Sequence, residues 1–508
     1  MTVVIKRISG SLSVDKLLVP ALFLIYALLQ IYMLTSSPNI LIDEPWYSSI
    51  GDNLMQTGQQ IDLVRQDHWA SLYPIILSVF FNVFGMSLWV ARFASVIAGA
   101  LSLWAFINIL KLLSVQSRVI MFTGFTFIVA NVPYVIFRTT RPESWVLAFT
   151  LWGIYFLING IINRDSRSFF LSGLLVASSF LSHPVGAITV LLIGLCIFYT
   201  SLKNRYVAPL VAFTSSILLI LLVFIMYIVV WKDVGIFEFF SSWLSRTSTQ
   251  SNTNLGQHII SNATSFFQHY TLGSYRLYIV IFEIGILPAA LLLSDTNKDR
   301  IPILVFLAAG FFIIGLILLN PFSTRYFGLV MIMSLLVYAL LLNNALLFRN
   351  KMYGLVLIIG LLYLVNNLAG DMYILYRDRH NQPYKQVEVE LAEVIPPGSS
   401  VASQIWFWFP LRLTDFYCHY TRWEKTRFTA PEDLFASGTL EYVVTSRFGI
   451  DDQRISTTGR DSPRATLNRA VRFHEISTKY VRQYGELVMS FVSEPFGEIY
   501  VWRLVFPQ

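Results

Sequence analysis

The stretch LIDEPWYSSIGDNLMQTG, Leu41 to Gly58, puts two adjacent carboxylates, Asp43 and Glu44, into an N-terminal third that is otherwise strongly apolar. On its N-terminal side runs Leu17 to Leu34, and beyond it the apolar runs continue at intervals to Ala369. Of the 508 residues, 55% are hydrophobic and only 13% are charged, and the mean hydropathy is +0.60. That balance lies well outside the range of soluble domains. A helix needs about 20 apolar residues to cross a hydrocarbon core of roughly 30 Å. The chain therefore reads as a polytopic α-helical membrane protein, with Leu17 to Leu34 a retained first span and not a signal peptide.

Apolar runs read as spans lie at about Leu17–Leu34, Leu88–Leu112, Arg118–Phe137, Ser144–Ile162, Phe169–Ser182, Gly186–Leu202, Ala208–Trp231, Tyr275–Leu293, Pro302–Leu319, Tyr326–Leu347 and Met352–Ala369, about eleven transmembrane helices in all. Leu72–Phe84 is apolar but short, and loop charge decides its placement. If it does not cross, the short basic connections gather on the side of the N-terminus: Lys6, Arg7 and Lys16, Lys111 and Arg118, Arg164 and Arg167, Lys203 and Arg205, Lys298 and Arg300, Arg349 and Lys351. The positive-inside rule makes that side cytoplasmic. Asp43, Glu44, the Arg138 to Glu143 turn, His183 and Arg325 then share the extracytoplasmic face.

The division expected is a transmembrane part over 1–370, with a first outer loop over 35–87, and a soluble extracytoplasmic α/β domain over 371–508. From Asp371 onward charge becomes dense and "PPGSS" breaks the chain. Alternating stretches such as "EYVVTSRF" and "GEIYVWRLVF" read as strands, beside helical patterns around Gln386–Val394 and Thr466–Tyr480. This segment holds 16 Lys and Arg against 17 Asp and Glu, so the +7 net charge resides in the membrane part. The charge thus reflects orientation in a bilayer, and nucleic acid is not an expected partner. Cys196 and Cys418 are too few for a disulfide framework or a thiolate metal site.

Absent motifs narrow the chemistry. There is no Walker A sequence, no Gly-rich dinucleotide turn, no Gly-x-Ser-x-Gly elbow and no His-Glu-x-x-His. The chain has no nucleotide-driven engine of its own, and a sugar already joined to a lipid phosphate would bring its activation with it. Asp43 and Glu44, near the outer interface, are candidates for a general base, because burial at a dry boundary raises a carboxylate pKa toward operating pH. Read blandly, they are a solvated acidic loop. "FRTTRPESW", Phe137 to Trp145, offers Arg138 and Arg141 as phosphate contacts and Glu143 as a second carboxylate. Its bland reading is a pair of arginines snorkelling to headgroups. His68, His183 and Arg325 are further candidates for orienting phosphate or sugar.

The segments "DEPWYSSIGDNLMQTG", "HWASLYPIILSVFFNVFGMSLWVARFASVIAGAL" and "RTTRPESW" resemble the glycosyltransferase family 39 type. This family comprises GT-C fold enzymes that include protein O-mannosyltransferases and the lipid A aminoarabinose transferase. The resemblance covers roughly residues 15 to 200, and "TRYF" more loosely. It implies a polyprenyl-phosphate sugar donor used on the outer face, interfacial helices in the first loop, and Asp43 as the base, with Glu44 its neighbour and Glu143 the second acidic position. A Lys-Pro-Pro sequence frequent in part of the family is replaced here by "HWASLYP". The Trp-Trp-Asp motif of the oligosaccharyltransferase catalytic subunit is absent, which argues against en bloc oligosaccharide transfer.

The expected activity is inverting transfer of a single sugar to an extracytoplasmic protein, lipid or glycan, in a plasma membrane of the bacterial inner-membrane kind. The expected catalytic residues are Asp43, Glu44 and Glu143, and the expected substrate contacts His68, Arg138, Arg141, His183 and Arg325. No essential cofactor is expected, although Asp43, Glu44 and nearby histidines leave a divalent metal open. The competing readings are a lipid or glycan transporter, which should carry polar residues near the membrane midplane, and a non-catalytic subunit of an envelope assembly.

Overall fold

The computed structural model describes residues 12–62, 67–68, 71–232, 256–257, 259–264, 274–293, 301–318, 326–347, 353–418, 421, 428, 430–446 and 462–507. The membrane part is built from α1 (Leu12–Ile31), α2 (Asp43–Thr57), α3 (Leu72–Phe84), α4 (Leu88–Leu112), α5 (Ser117–Ile128), α6 (Asn131–Phe137), α7 (Glu143–Asn163), α8 (Ser166–Ser182), α9 (Gly186–Asn204), α10 (Ala208–Lys232), α11 (Ser274–Leu293), α12 (Ile301–Leu318), α13 (Gly328–Leu347) and α14 (Tyr353–Arg377). Among the described residues, six helices are long and apolar enough to cross a membrane, and the bent pair α5–α6 makes a seventh. Each of the eleven expected runs falls on a helix or, for Arg118–Phe137, on that pair.

The break in the pair has a chemical cause. Pro133 lies in the first turn of α6, where its ring would collide with the carbonyl of Val129 if the helix ran on. The two halves meet at 61°, and the N–H of Asn131 bonds Oδ1 of Asn367 at 2.9 Å. The most enclosed helix is α13, in which every residue from Gly328 to Ala345 is buried. A helix that is apolar all round belongs at the centre of a bundle.

Between α1 and α4, the first loop folds into two helices that do not span. Gly58, at φ +73°, ends α2 in the left-handed conformation that glycine adopts without strain. A hairpin, β1 (Ile61–Asp62) with β2 (Asp67–His68), follows. Gln60 then pairs by both its amide atoms with the backbone of Ser71, at 2.9 and 3.1 Å. Ser71 caps α3 and donates to the carbonyls of Leu181 and Ser182 at the end of α8. At 13 residues, α3 is roughly 20 Å long, too short to cross.

The last long helix, α14, runs past the expected end at Ala369 to Arg377. After it, α15 (Tyr384–Val394) and α16 (Ser462–Tyr484) flank a five-stranded sheet of order β4-β3-β5-β7-β6. Its strands are β3 (Ser400–Ala402), β4 (Asp415–Tyr417), β5 (Tyr442–Ser446), β6 (Gly485–Ser493) and β7 (Gly497–Leu504). β3 pairs in parallel with β4 and β5, while β7 is antiparallel to both β5 and β6.

Alternation along the strands sorts the two cores. Val401, Tyr442, Val444, Ile499 and Val501 face a cluster that also contains Tyr47 of α2, Tyr73 and Leu77 of α3 and Leu88 of α4. Ala402, Val443 and Leu504 face the other side, with Phe473 and Val481 of α16. One continuous apolar core therefore seats the C-terminal domain on the first loop. Polar ties support it: Ser37 Oγ donates to Asp378 at 2.9 Å, and Asn381 Nδ2 to the carbonyl of Ser36 at 2.8 Å.

Candidate active site

The two acidic residues that open α2 point to different surroundings. Glu44 is fully buried and accepts four hydrogen bonds: from the backbone N–H groups of Leu41 and Thr140, both at 2.8 Å, and from Arg92 Nε and Nη2 at 2.9 and 2.8 Å. Arg92, also fully buried, spends Nη1 on the carbonyls of Leu34 and Pro38. All the lone pairs and nearly all the N–H groups of this pair are thus used inside the protein. Glu44 is a positioning residue: it ties the start of α2 to α4 and to the Arg138–Glu143 turn, and it has no face toward a substrate.

Arg138 is corrected in the same way. It was expected to meet a phosphate, but its side chain is sealed from solvent. Its five N–H groups go to the carbonyls of Leu29, Gln30, Tyr32 and Ser37, at 2.6 to 3.1 Å. These carbonyls belong to the last turn of α1 and the chain just after it, so Arg138 is the cationic cap of a helix C-terminus. Burial pulls the Arg138 pKa down, against the attraction of Tyr134 and Asp371.

Asp43, Arg141 and Glu143 do come together. Arg141 grips Glu143 with two nitrogens, Nη2 to Oε1 at 2.9 Å and Nε to Oε2 at 3.2 Å, and donates Nη1 to Asp43 Oδ2. Burial opposes the Arg141 charge, but the two carboxylates more than offset it and hold its pKa above the ordinary value. Exposure within the trio is uneven: the Asp43 side chain is 30% accessible, against 7% for Arg141 and 4% for Glu143. The carboxylate open to an incoming group is therefore Asp43.

His183, which follows α8, lies near the trio with Nδ1 accepting the N–H of Val185 at 3.3 Å. Burial lowers its pKa, and the nearby Glu143 charge does not reverse this, so the ring is neutral at pH 7. Its ring centre is 5.8 Å from that of Tyr326.

Two phenols not singled out in the sequence join the group. Tyr47 sits one turn after Asp43 on the same face of α2, and Tyr326 precedes α13. Burial, reinforced by Glu143 and Asp43, holds both phenols protonated. The i, i+4 spacing of Asp43 and Tyr47 was a usable signal. Tyr326 lies in the "TRYF" stretch of the resemblance, but only the fold brings it to His183.

Arg325 lies outside the described residues, as does the side chain of His68, whose backbone is in β2. Among the described residues, no cluster of three or more His, Cys, Asp or Glu side chains could hold a metal ion. The place between Asp43 and Glu143 is filled by the Arg141 guanidinium.

The fold is the GT-C fold that the first-loop motifs imply. Residues 70–231 match the model of the dolichyl-phosphate-mannose-protein mannosyltransferase family, a stretch that includes the Arg138–Glu143 turn and His183 but begins after Asp43. Two crystal structures of ArnT from Cupriavidus metallidurans superpose on the chain, one bound to undecaprenyl phosphate with a TM-score of 0.60 and one in the apo state with 0.61. Each is 13% identical to this sequence, covering 96% of this chain and 99% of that one. The arabinosyltransferase EmbB from Mycobacterium smegmatis is 12% identical over 78% of this chain and 43% of its own, with a TM-score of 0.47. No curated protein matches the sequence.

Proposed function

We propose that the protein is an inverting glycosyltransferase that moves a single sugar from a polyprenyl-phosphate donor to an extracytoplasmic acceptor. The observation that carries this reading is the position of Asp43, the one accessible carboxylate of an otherwise buried Asp43–Arg141–Glu143 cluster. The fold shared with an ArnT that binds undecaprenyl phosphate supports the donor class.

In the reaction, an Asp43 carboxylate oxygen takes the proton of an acceptor hydroxyl or amine as that oxygen or nitrogen bonds to the anomeric carbon. The carbon–oxygen bond to the lipid phosphate breaks on the opposite face, which inverts the configuration. The phosphate monoester leaves as a stable anion, so the site needs positive charge there more than a general acid. With Arg138 committed to backbone carbonyls, Arg325, which precedes Tyr326 in the chain, is our choice for that charge. Arg141 fixes the angle of Asp43 and balances the pair of carboxylates, a task that would otherwise fall to a divalent ion; we propose that no metal is essential. Glu143, turned inward, orients Arg141.

From the positive-inside rule we infer a cytoplasmic N-terminus and residues 371–508 on the outer side of a bacterial inner membrane, where the C-terminal domain would cover the first loop and meet the acceptor, a protein, lipid or glycan. The test is donor turnover by purified wild type and Asp43→Asn, matched for folding, over a panel of radiolabelled polyprenyl-phosphate sugars and candidate acceptors. Turnover lost in Asp43→Asn is the expected result. Turnover that survives the substitution removes Asp43 from the chemistry, and lipid movement without cleavage would make the protein a transporter.

A further inference from the structure

A second binding feature lies on the lipid-facing surface, away from the Asp43 cluster. The last turns of α1 and α14 frame a groove of about 810 Å³, walled by Leu28, Tyr32, Met372, Leu375 and Tyr376, with Arg379 at its mouth. The walls are mostly apolar and open outward: Leu28 is 63% exposed, and Tyr32 and Tyr376 are each 62% exposed. Below the groove, α14 continues the same face with exposed Ile358, Leu362 and Val365 at helical spacing. Such a stripe is what a helix presents to acyl chains. Tyrosines at its upper end suit the depth of lipid headgroups.

The charge at the mouth is arranged for an anion. The Arg379 guanidinium stacks 3.7 Å from the centre of the Tyr376 ring, and Nη1 donates to the Tyr376 carbonyl at 2.6 Å. This holds the planar fork in place at the apolar edge. Among the described residues, no carboxylate pairs with Arg379. The neighbouring acid, Asp378, is buried and already bonded by Arg377 and Ser37. A guanidinium with open N–H groups beside an acyl-sized apolar groove matches a phosphodiester carrying a fatty chain.

We propose that this groove binds one anionic phospholipid of the surrounding bilayer, with an acyl chain between α1 and α14 and its phosphate on Arg379. None of Asp43, Arg141, Glu143 and His183 lines the groove, so this lipid is not a reactant. Its place explains what it does. It bridges the two helices whose ends carry the Ser36–Ser37 and Asp378–Asn381 ties, and so it supports the seating of the C-terminal domain on the first loop.

The test uses the full chain purified in detergent, with phosphatidylglycerol, phosphatidylcholine or undecaprenyl phosphate added. Retained lipid is counted by native mass spectrometry, and the unfolding temperature is followed in parallel. The wild type should retain phosphatidylglycerol in preference to phosphatidylcholine and melt higher with it. Arg379→Gln, a change at an exposed side chain, should bind phosphatidylglycerol roughly tenfold more weakly, the loss expected for one charge-assisted contact. Met372→Trp, which fills the groove, should lower retention of both phospholipids. Equal retention of the two phospholipids by the wild type overturns the proposal, as does unchanged phosphatidylglycerol binding in Arg379→Gln. Displacement of phosphatidylglycerol by equimolar undecaprenyl phosphate overturns it too, and would give the groove to the carrier lipid.

Discussion

Glu44 and Arg92 form a two-point ion pair, Nε to Oε1 at 2.9 Å and Nη2 to Oε2 at 2.8 Å, with both side chains fully buried. Breaking such a pair from one side leaves an uncompensated buried charge, at a cost of about 3–5 kcal/mol. Arg92→Leu and Glu44→Ala should therefore each lower the unfolding temperature and the yield of folded protein sharply. Asp43→Asn should leave both nearly unchanged, because Asp43 is partly exposed and Arg141 keeps Glu143 as its partner. Thermal unfolding of the three variants in one detergent separates the two adjacent acids. Equal stability of Glu44→Ala and Asp43→Asn would mean that Glu44 is not the anchor described.

Arg138→Met removes five hydrogen bonds to the carbonyls that end α1 and the turn beyond it. Orphaned buried carbonyls are costly individually, so stability should fall by several kcal/mol in sum, by roughly 1 kcal/mol or more per lost bond before relaxation. The KM for the lipid-linked donor, measured on the fraction that remains folded, should not change. A raised KM at unchanged stability would return Arg138 to the phosphate site.

Arg141→Lys keeps one positive charge but loses the fork that reaches three carboxylate oxygens at once. An ammonium cannot hold both acids in the same geometry. The expected result is a fall in kcat of about ten- to a hundredfold, the cost of a misplaced catalytic group, with KM for the donor little altered. A change confined to KM would make Arg141 a donor-binding residue.

Much of this fold was legible in the sequence, and the reasons are specific. Span lengths marked the helices and set the short Leu72–Phe84 apart, because that signal is local. The strands at Tyr442–Ser446 and Gly497–Leu504 showed through their alternation, which the two faces of the sheet then used. The break at Pro133 was hidden inside an unbroken apolar run. At the site, residue type alone could not separate Asp43 from Glu44, nor Arg141 from Arg138. Each pair sits within three residues and offers the same chemistry. What divides them is the supply of distant partners: Arg92 for Glu44, and the end of α1 for Arg138. Those partners lie 48 residues from Glu44 and 101 to 109 residues from Arg138 in the chain, and no short motif carries that information.

His183 gives the site a pH signature with a definite sign. Burial holds its pKa below the ordinary 6.5, and the attraction of Glu143 is too weak to restore it. In the unfolded chain the imidazole takes up its proton near the ordinary value, while in the folded protein it does so only at lower pH. Between those two points the unfolded state binds more protons, so stability falls as pH drops below about 6.5 and is unaffected by this group above it. His183→Gln removes the titration. The unfolding temperature of the wild type, followed from pH 7.5 down to about 5, should therefore decline more steeply than that of His183→Gln, with the two curves parallel above the ordinary imidazole value. If the wild-type curve instead rose toward acid relative to the variant, Glu143 would be stabilising an imidazolium. The ring beside Tyr326 would then carry positive charge into the site.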